Sequence, residues 1–207
     1  MTLAGATRAL WLHAAPRVTV TAVAATQDGA AFADAAVIRR DPDAPTDLLG
    51  VDLHALARAG ALTVRLAFAA PYHDRVGVFV QRRGGLGFVY SDFEPADARA
   101  GFPCFDEPRW RAPFTVTIRA PDGVGAFANM PSTSTTREGD WLVHRFAPSP
   151  PLPTYLVAFA AGAFTTLDVP GAPVPARVIA PPDLAQVEFV RAALGPIATA
   201  SSQWIGR

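Results

Sequence analysis

Carboxylates are concentrated in one short stretch of the chain, Ser91 to Trp110, with the sequence SDFEPADARAGFPCFDEPRW. It holds five acidic residues and the only cysteine of a chain in which 17% of the residues are charged. A free carboxylate in a cleft binds a cation through charge-assisted hydrogen bonds, whereas a paired carboxylate links segments of the fold. From the residues alone, the favoured interpretation is a loop entering a strand. Asp106 would then pair with Arg99 or Arg109 above packed aromatic side chains.

The histidines of this chain form no local metal motif; they are His13, His54, His73 and His144. None has a second histidine three to five residues away, and the zinc-binding pattern H-E-x-x-H is absent. Cys104 has no partner at C-x-x-C spacing. We therefore expect that this chain binds no metal and that its histidines are surface or strand residues.

Three other patterns suggest chemistry only weakly. Asp41, Asp43, Asp47 and Asp52 fit the spacing of a calcium loop, but Thr46 replaces the glycine that such a loop requires, so an ordinary acidic loop is favoured. The glycine-rich RRGGLGFVY is followed by a strand pattern and not by a helix, which indicates a hairpin turn. G-x-S-x-G, the esterase nucleophile motif, is absent.

Composition excludes several classes of partner. Eighteen basic residues, all arginine, balance eighteen acidic residues, so the formal net charge is zero. No basic cluster exceeds a pair, which argues against nucleic acid and against a membrane surface as partners. No apolar run reaches the ~20 residues of a membrane-spanning helix, and the N-terminus has no secretory pattern. A single cysteine fits a reducing compartment, so a cytoplasmic location is expected.

Most of the chain shows the period-two alternation that is typical of β-strands. ALTVRLAF places Leu62, Val64, Leu66 and Phe68 on one face, and FTVTIR has the same pattern. Twenty prolines and sixteen glycines lie mainly between such runs. These features predict a mainly β fold with an antiparallel sandwich or curved sheets. The segment DLLGVDLHALARAG, residues 47–60, is the one helix-like interruption before residue 180.

The chain after Pro181 changes to a helical pattern. Asp183 and Gln186 have the spacing of a capping box, and Gly195–Pro196 predicts a kink or an early stop. An apolar face follows at spacings of three and four residues, formed by Leu184, Val187, Val190, Leu194 and Ile197. Because no later segment pairs with this face, we expect a piece that ends part-way through a longer unit.

FEPADARAGFPCFDEPRWRAPFTVTI resembles very closely the N-terminal domain signature of zinc aminopeptidases of the aminopeptidase N type, peptidase family M1. Three further segments are similar to the family in the same order; they are LWLHA (Leu10 to Ala14), ANMP (Ala128 to Pro131) and LPTYLVAFAAGAF (Leu152 to Phe164). The resemblance covers most of residues 10–207. FPCFDEP followed by TYLVAF is a specific pairing.

The resemblance implies a saddle-like antiparallel β-sandwich with a short C-terminal helical segment, leaning over a thermolysin-like catalytic domain. Residues 1–181 would be the N-terminal β domain, with its first strands apparently missing. Residues 182–207 would be the truncated start of the first helix of the catalytic domain. The family's zinc ligands, including H-E-x-x-H, are expected beyond Arg207. Zinc would thus be the cofactor of the presumed full-length enzyme, and this fragment alone should be inactive.

The resemblance also suggests a substrate site. In the family, a Q-x-E pair just before FPCFDEP reaches the active site, and its glutamate aligns with Glu94, which we expect to bind the substrate α-ammonium. The glutamine position holds Asp92. This extra charge would strengthen cation binding, shift the preference toward basic N-terminal residues, or mark loss of the usual function. Structural support is expected from Arg99, Phe102, Cys104, Asp106 and Glu107, with Cys104 a small buried residue and not a nucleophile.

The sequence therefore predicts the substrate-positioning N-terminal domain of a zinc metallo-aminopeptidase that removes N-terminal residues from peptides. This chain would carry no catalytic residue, and its partners would be the N-terminus of a peptide substrate and the missing catalytic domain. The alternative is a non-catalytic relative that acts as a peptide-binding or scaffold module. Whether H-E-x-x-H follows downstream distinguishes the two hypotheses.

Overall fold

The computed structural model describes residues 1–32, 35–38 and 47–206. The first strands are β1 (Thr2–Leu3), β2 (Thr7–His13), β3 (Thr19–Gln27), β4 (Ala30–Phe32), β5 (Ala36–Ile38), β6 (Leu48–Ala57), β7 (Gly60–Ala61) and β8 (Thr63–Ala69). The later strands are β9 (Gly77–Arg83), β10 (Leu86–Asp92), β11 (Thr117–Pro121), β12 (Gly125–Ala128), β13 (Ser132–Glu138), β14 (Trp141–Phe146), β15 (Phe159–Gly162), β16 (Thr165–Asp168) and β17 (Arg177–Ala180). The helices are α1 (Ala98–Gly101) and α2 (Val187–Ile205), with one 3-10 turn at Thr154–Leu156. Asp41, Asp43 and Thr46 of the calcium-loop pattern lie outside the described residues.

Every strand pairing in the described chain is antiparallel. The largest sheet has the order β12-β15-β10-β9. Three-stranded sheets have the orders β2-β6-β5, β4-β3-β8 and β11-β14-β13, and two-stranded sheets are β1-β7 and β16-β17. The prediction of a mainly β fold with a C-terminal helix is therefore confirmed.

Two three-stranded sheets, β2-β6-β5 and β4-β3-β8, pack face to face over the first core. The core contains Leu10 and Leu12 from β2, Val51 and Leu53 from β6, and Ala25 from β3. Val64 and Leu66 of β8 pack against it, as their alternation predicts, whereas Phe68 is exposed. The β3 ladder shifts register between Val20 and Ala22, beside the pairing of Val20 with Phe68.

The prediction of a helical segment at residues 47–60 is wrong, because residues 48–57 form strand β6. Leu49, Val51 and Leu53 are buried at period two, and this alternation determines the local structure. The helix-like appearance comes from a bulge near His54, which has φ 51°, where the pairing of β2 with β6 shifts register. Bulges insert extra residues and so disturb the period of a strand pattern.

Helix α2 begins later and continues further than its sequence suggests. Asp183 does not cap it, because its carboxylate accepts a 2.7 Å hydrogen bond from Arg83 Nε and the N-cap is Gln186 without a side-chain bond. The helix also continues through Pro196 to Ile205. No helix among the described residues has the length and apolar character needed to cross a bilayer.

Candidate functional site

Asp92 and Glu94 lie at the end of β10 on either side of a buried phenylalanine. Phe93 is only 1% exposed, whereas both carboxylates are at the surface. Alternation about an anchored residue places its two neighbours on the side away from the core. Among the described residues, neither carboxylate takes part in an ion pair or accepts a hydrogen bond. Both are therefore available to a cationic ligand.

The turn that carries Glu94 is closed by backbone hydrogen bonds. Asp97 N donates to Phe93 O at 2.9 Å, and Ala100 N donates to Asp97 O at 3.0 Å, so the turn continues directly into α1. Opposite Asp92, strand β9 has Gly77, which has φ 72°. A Cβ at Gly77 would lie 3.1 Å from the Cβ of Ala100. Glycine thus lets β9 approach α1 closely, which limits the movement of the Glu94 turn.

Asp106 is the centre of a buried polar network beneath this turn. It is 4% exposed, and its Oδ2 accepts from Arg99 N at 3.2 Å and from Arg99 Nε at 2.9 Å. Its Oδ1 accepts from Thr154 Oγ1 at 2.7 Å. Its backbone N–H donates to His13 Nδ1 at 3.2 Å. A buried carboxylate is stable when its oxygens have such donors. Through its side chain and its backbone N–H together, Asp106 links α1 to two distant segments of the chain.

Among the described residues, only Arg99 forms an ion pair with Asp106. Of the two arginines that the sequence offered as partners of Asp106, the structure therefore selects Arg99. The Arg99 guanidinium also lies 3.8 Å from Asp47 and donates to the backbone oxygen of Asp106. Arg109 instead pairs with Glu107 at 2.7 Å and stacks over Trp110 on the surface. Glu107 is therefore connected to the Asp106 network only by its peptide bond to Asp106.

Phe102 and Cys104 pack in the second core of the molecule. The cluster is built on Phe93, Ala98, Cys104 and Val157, with Phe102 against Phe93 at a ring distance of 5.5 Å. Burial, together with the charge of Asp106, raises the pKa of the Cys104 thiol, and Arg99 offsets part of this effect. A thiol held protonated is a poor nucleophile. This agrees with the interpretation of Cys104 as a packing residue.

Sequence reasoning missed His13 and Thr154, which contact Asp106 from 93 and 48 residues away. Both lie in segments already singled out, LWLHA and LPTYLVAFAAGAF, but as family segments and not as contacts. His144 lies on strand β14, in agreement with the prediction that the histidines are surface or strand residues; it is 8% exposed and shares a hydrogen bond with Thr135.

The side chains that could bind a metal ion are spread out over the described residues. Within residues 1–32, 35–38 and 47–206, no three His, Cys, Asp or Glu side chains are placed to hold a metal ion together. Asp92 and Glu94 supply two carboxylate groups, fewer than the three protein ligands of a catalytic zinc site.

Comparison with known proteins gives a family model and several relatives. The model described as the peptidase M1 N-terminal domain matches residues 1–156. Human glutamyl aminopeptidase is 44% identical over 80 residues, which are 38% of this chain and 8% of that protein. Aminopeptidase M1 of Arabidopsis thaliana is 31% identical over 123 residues, 57% of this chain and 14% of that protein. Probable aminopeptidase 1 of Sulfurisphaera tokodaii is 32% identical over 103 residues, 50% of this chain and 13% of that protein.

Proposed function

Because the chain belongs to the peptidase M1 N-terminal domain family, we propose that it is the substrate-positioning part of a zinc metallo-aminopeptidase. The matched region spans only 8–14% of the relatives named above, so zinc and the hydrolytic machinery belong to other parts of the whole protein. When bound there, zinc would activate the attacking water. The contribution of this chain is recognition of the free N-terminus of a peptide.

The observation that carries the proposal is that the carboxylates of Asp92 and Glu94 are exposed and without a partner among the described residues, at a turn that backbone hydrogen bonds close. An aminopeptidase has to distinguish a free α-ammonium from an internal peptide bond, and a fixed carboxylate does so because its charge-assisted bond is lost when no cation arrives. Glu94 is exposed, while Phe93 anchors its turn in the core. A fixed position reduces the entropy lost on binding.

The test is hydrolysis of an aminoacyl-p-nitroanilide by the full-length protein and its Glu94→Ala variant. We expect kcat/KM to fall by an amount that corresponds to a loss of about 1.5–3 kcal/mol in transition-state stabilisation, which is the scale of a charged hydrogen bond. Glu138→Gln is the matched control, because Glu138 is also exposed but lies on β13, with Arg119 3.9 Å away. Wild-type kcat/KM in Glu94→Ala would rule out the ammonium role.

Asp92 is proposed to influence which N-terminal residue is preferred. A second carboxylate next to Glu94 makes the site more negative and favours an N-terminal arginine over a neutral residue. Human glutamyl aminopeptidase, which is 44% identical over the aligned part, suggests a competing preference for an N-terminal glutamate. Asp92→Asn is expected to lower the kcat/KM ratio of arginyl to leucyl substrates. A changed ratio of glutamyl to leucyl substrates alone would support the competing preference.

The non-catalytic alternative makes a different prediction for the same full-length protein. A peptide-binding or scaffold module would bind peptides without hydrolysing them and would contain no stoichiometric zinc. Metal analysis of the purified protein, together with its hydrolysis rate, separates the two hypotheses.

The exposed apolar face of α2 is the surface that we propose packs against the rest of the catalytic domain. Its large side chains are Phe189, Val190, Leu194, Ile197, Trp204 and Ile205, and all are exposed in this structure. A contiguous apolar surface on a helix is typical of a protein contact. Cross-linking from α2 to downstream residues of the full-length protein would test this assignment.

A further inference from the structure

We propose that His13 is a positioning residue for the ammonium site, acting through Asp106 and Arg99 on the turn that carries Glu94. This inference rests on the proposed function, because it concerns how the same site is held in place. It assigns a role to a side chain that lies 93 residues from Asp106 in the sequence.

The end of β2 holds the region of the site through several backbone contacts. His13 N donates to Cys104 O at 2.7 Å, and Cys104 N donates back to His13 O at 2.9 Å. Two residues on, Ala15 N donates to Arg99 O at 2.7 Å. These bonds use main-chain atoms only, so they form whatever side chain position 13 carries.

The His13 side chain adds one contact that few other residues could make. Its Nδ1 accepts from the backbone N–H of Asp106 at 3.2 Å. A backbone N–H only donates, so Nδ1 must be unprotonated and the proton of the neutral ring lies on Nε2. The bond fixes the orientation of the Asp106 backbone and therefore of its carboxylate.

The Asp106 carboxylate transmits this orientation to the site. Its Oδ2 accepts hydrogen bonds from the backbone N–H and the Nε of Arg99, which is the second residue of α1. Helix α1 follows directly on the turn closed by Asp97 N and Phe93 O, and Glu94 lies inside that turn. His13 is thus linked to Glu94 in three steps. His13 bonds to Asp106, Asp106 bonds to Arg99, and Arg99 belongs to the helix that follows the Glu94 turn.

Three variants at position 13 distinguish this role from simple packing. His13→Asn keeps an acceptor at the position of Nδ1, because its Oδ1 is the same number of bonds from Cα. His13→Gln moves the acceptor to the position of Nε2, and His13→Leu removes it. All three keep the backbone bonds between β2 and Cys104, so the chain is expected to fold.

The first readout is the tautomer of His13 in this 207-residue chain. Long-range proton–nitrogen NMR spectra are expected to show that Nδ1 of the neutral ring carries no proton. A protonated Nδ1 in the neutral ring would overturn the inference before any activity is measured, and it would leave the proposed function untouched.

The second readout is steady-state kinetics of the full-length protein with an aminoacyl-p-nitroanilide. The ammonium is bound in both ground and transition states, so loss of positioning raises KM more than it lowers kcat. We expect about a fivefold to tenfold higher KM for His13→Leu and His13→Gln, with kcat within about twofold. His13→Asn is expected to stay within about twofold of the wild type in both constants.

A double-mutant cycle with Glu94→Ala decides whether the effect passes through the ammonium site. If it does, His13→Leu changes kcat/KM by less than about twofold once Glu94 is absent, because coupled residues are not additive. Independent, multiplying effects, or equal damage from His13→Asn and His13→Leu, would overturn the positioning role alone. A full-length wild-type protein that hydrolyses no aminoacyl substrate would overturn both this role and the proposed function.

Discussion

The polar network around Asp106 and the C-terminal helix α2 depart from ordinary burial in opposite ways. Around Asp106, a carboxylate is 4% exposed in the protein interior. On α2, Phe189 and Trp204 are 77% and 90% exposed. Charged groups are ordinarily outside and large apolar groups inside, so each region needs a specific explanation.

The two regions differ in what their partners supply. Asp106 has hydrogen-bond donors from Arg99 and Thr154 that replace the water it lost. Helix α2 contacts the end of β16 and the loop after it through a different, mainly small or polar face, with Arg191, Gly195 and Thr199 spaced four residues apart. Arg191 Nε donates to Asp168 O at 2.7 Å. This face lies against the rest of the chain because it allows close approach and polar contacts, and the large apolar side chains of α2 are exposed on the other side.

Apolar content alone therefore does not determine which face of a helix is buried. A Cβ on Gly195 would lie 2.6 Å from Pro170 O, so the helix backbone is in close contact with the loop between β16 and β17. Larger side chains cannot approach so closely. Helix packing therefore depends on shape as well as on hydrophobicity.

The largest expected effect comes from breaking the Asp106 network. Asp106→Ala removes the buried acceptor of Arg99 and Thr154 and leaves the Arg99 charge only the longer contact of 3.8 Å with Asp47, so it is expected to lower the free energy of unfolding by about 3 kcal/mol. Urea denaturation measures the change. Glu107→Ala is the control, since its pair with Arg109 is exposed and is expected to cost less than about 1 kcal/mol. Equal losses for the two variants would contradict the central position of Asp106.

Gly195→Ala tests the close contact of α2. The new Cβ meets a backbone oxygen that cannot move freely, so overpacking should cost about 1–3 kcal/mol, although alanine favours the helix by about 1 kcal/mol. Hydrogen exchange of the α2 amides is expected to become faster. Gln203→Ala, at an exposed position of the same helix, is expected to leave exchange unchanged. Slower exchange in Gly195→Ala would show that the contact is not limiting.

The raised pKa of Cys104 predicts a pH dependence of stability. Its ordinary value is 9.0, so above that pH the unfolded chain loses a proton that the folded chain keeps. The unfolded state is then favoured, and stability falls by up to about 1.4 kcal/mol per pH unit. The difference in unfolding free energy between wild type and Cys104→Ala is therefore expected to change between pH 8 and pH 10. A constant difference would mean that burial does not raise this pKa.

The smallest effect is expected on the exposed face of α2. Phe189→Ser removes a ring that is 77% exposed, so the free energy of unfolding should change by less than about 0.5 kcal/mol. The same substitution at Phe93, which is 1% exposed, is the contrasting control, with an expected loss of about 3–5 kcal/mol. A comparable loss at Phe189 would mean that its ring packs within this chain.

Local pattern was enough to predict the fold class and much of the site stretch. The burial of alternate residues in 62–66 and the ion pair of Asp106 with Arg99, seven residues away, agree with short-range rules. The same rules failed at residues 47–60, where a bulge interrupts the period of β6. They also failed at Asp183, because Arg83, 100 residues away, takes the carboxylate that would have capped the helix.

By itself, the sequence determined a mainly β chain, its family signature and the residues of the Glu94 turn, because these depend on neighbours along the chain. Only the tertiary structure decided that His13 and Thr154 meet Asp106, and that α2 turns Gly195 inward and Phe189 outward. The physical reason is that these choices depend on contacts between segments 48 and 93 residues apart and on how closely two backbones can approach. Residue types alone specify neither.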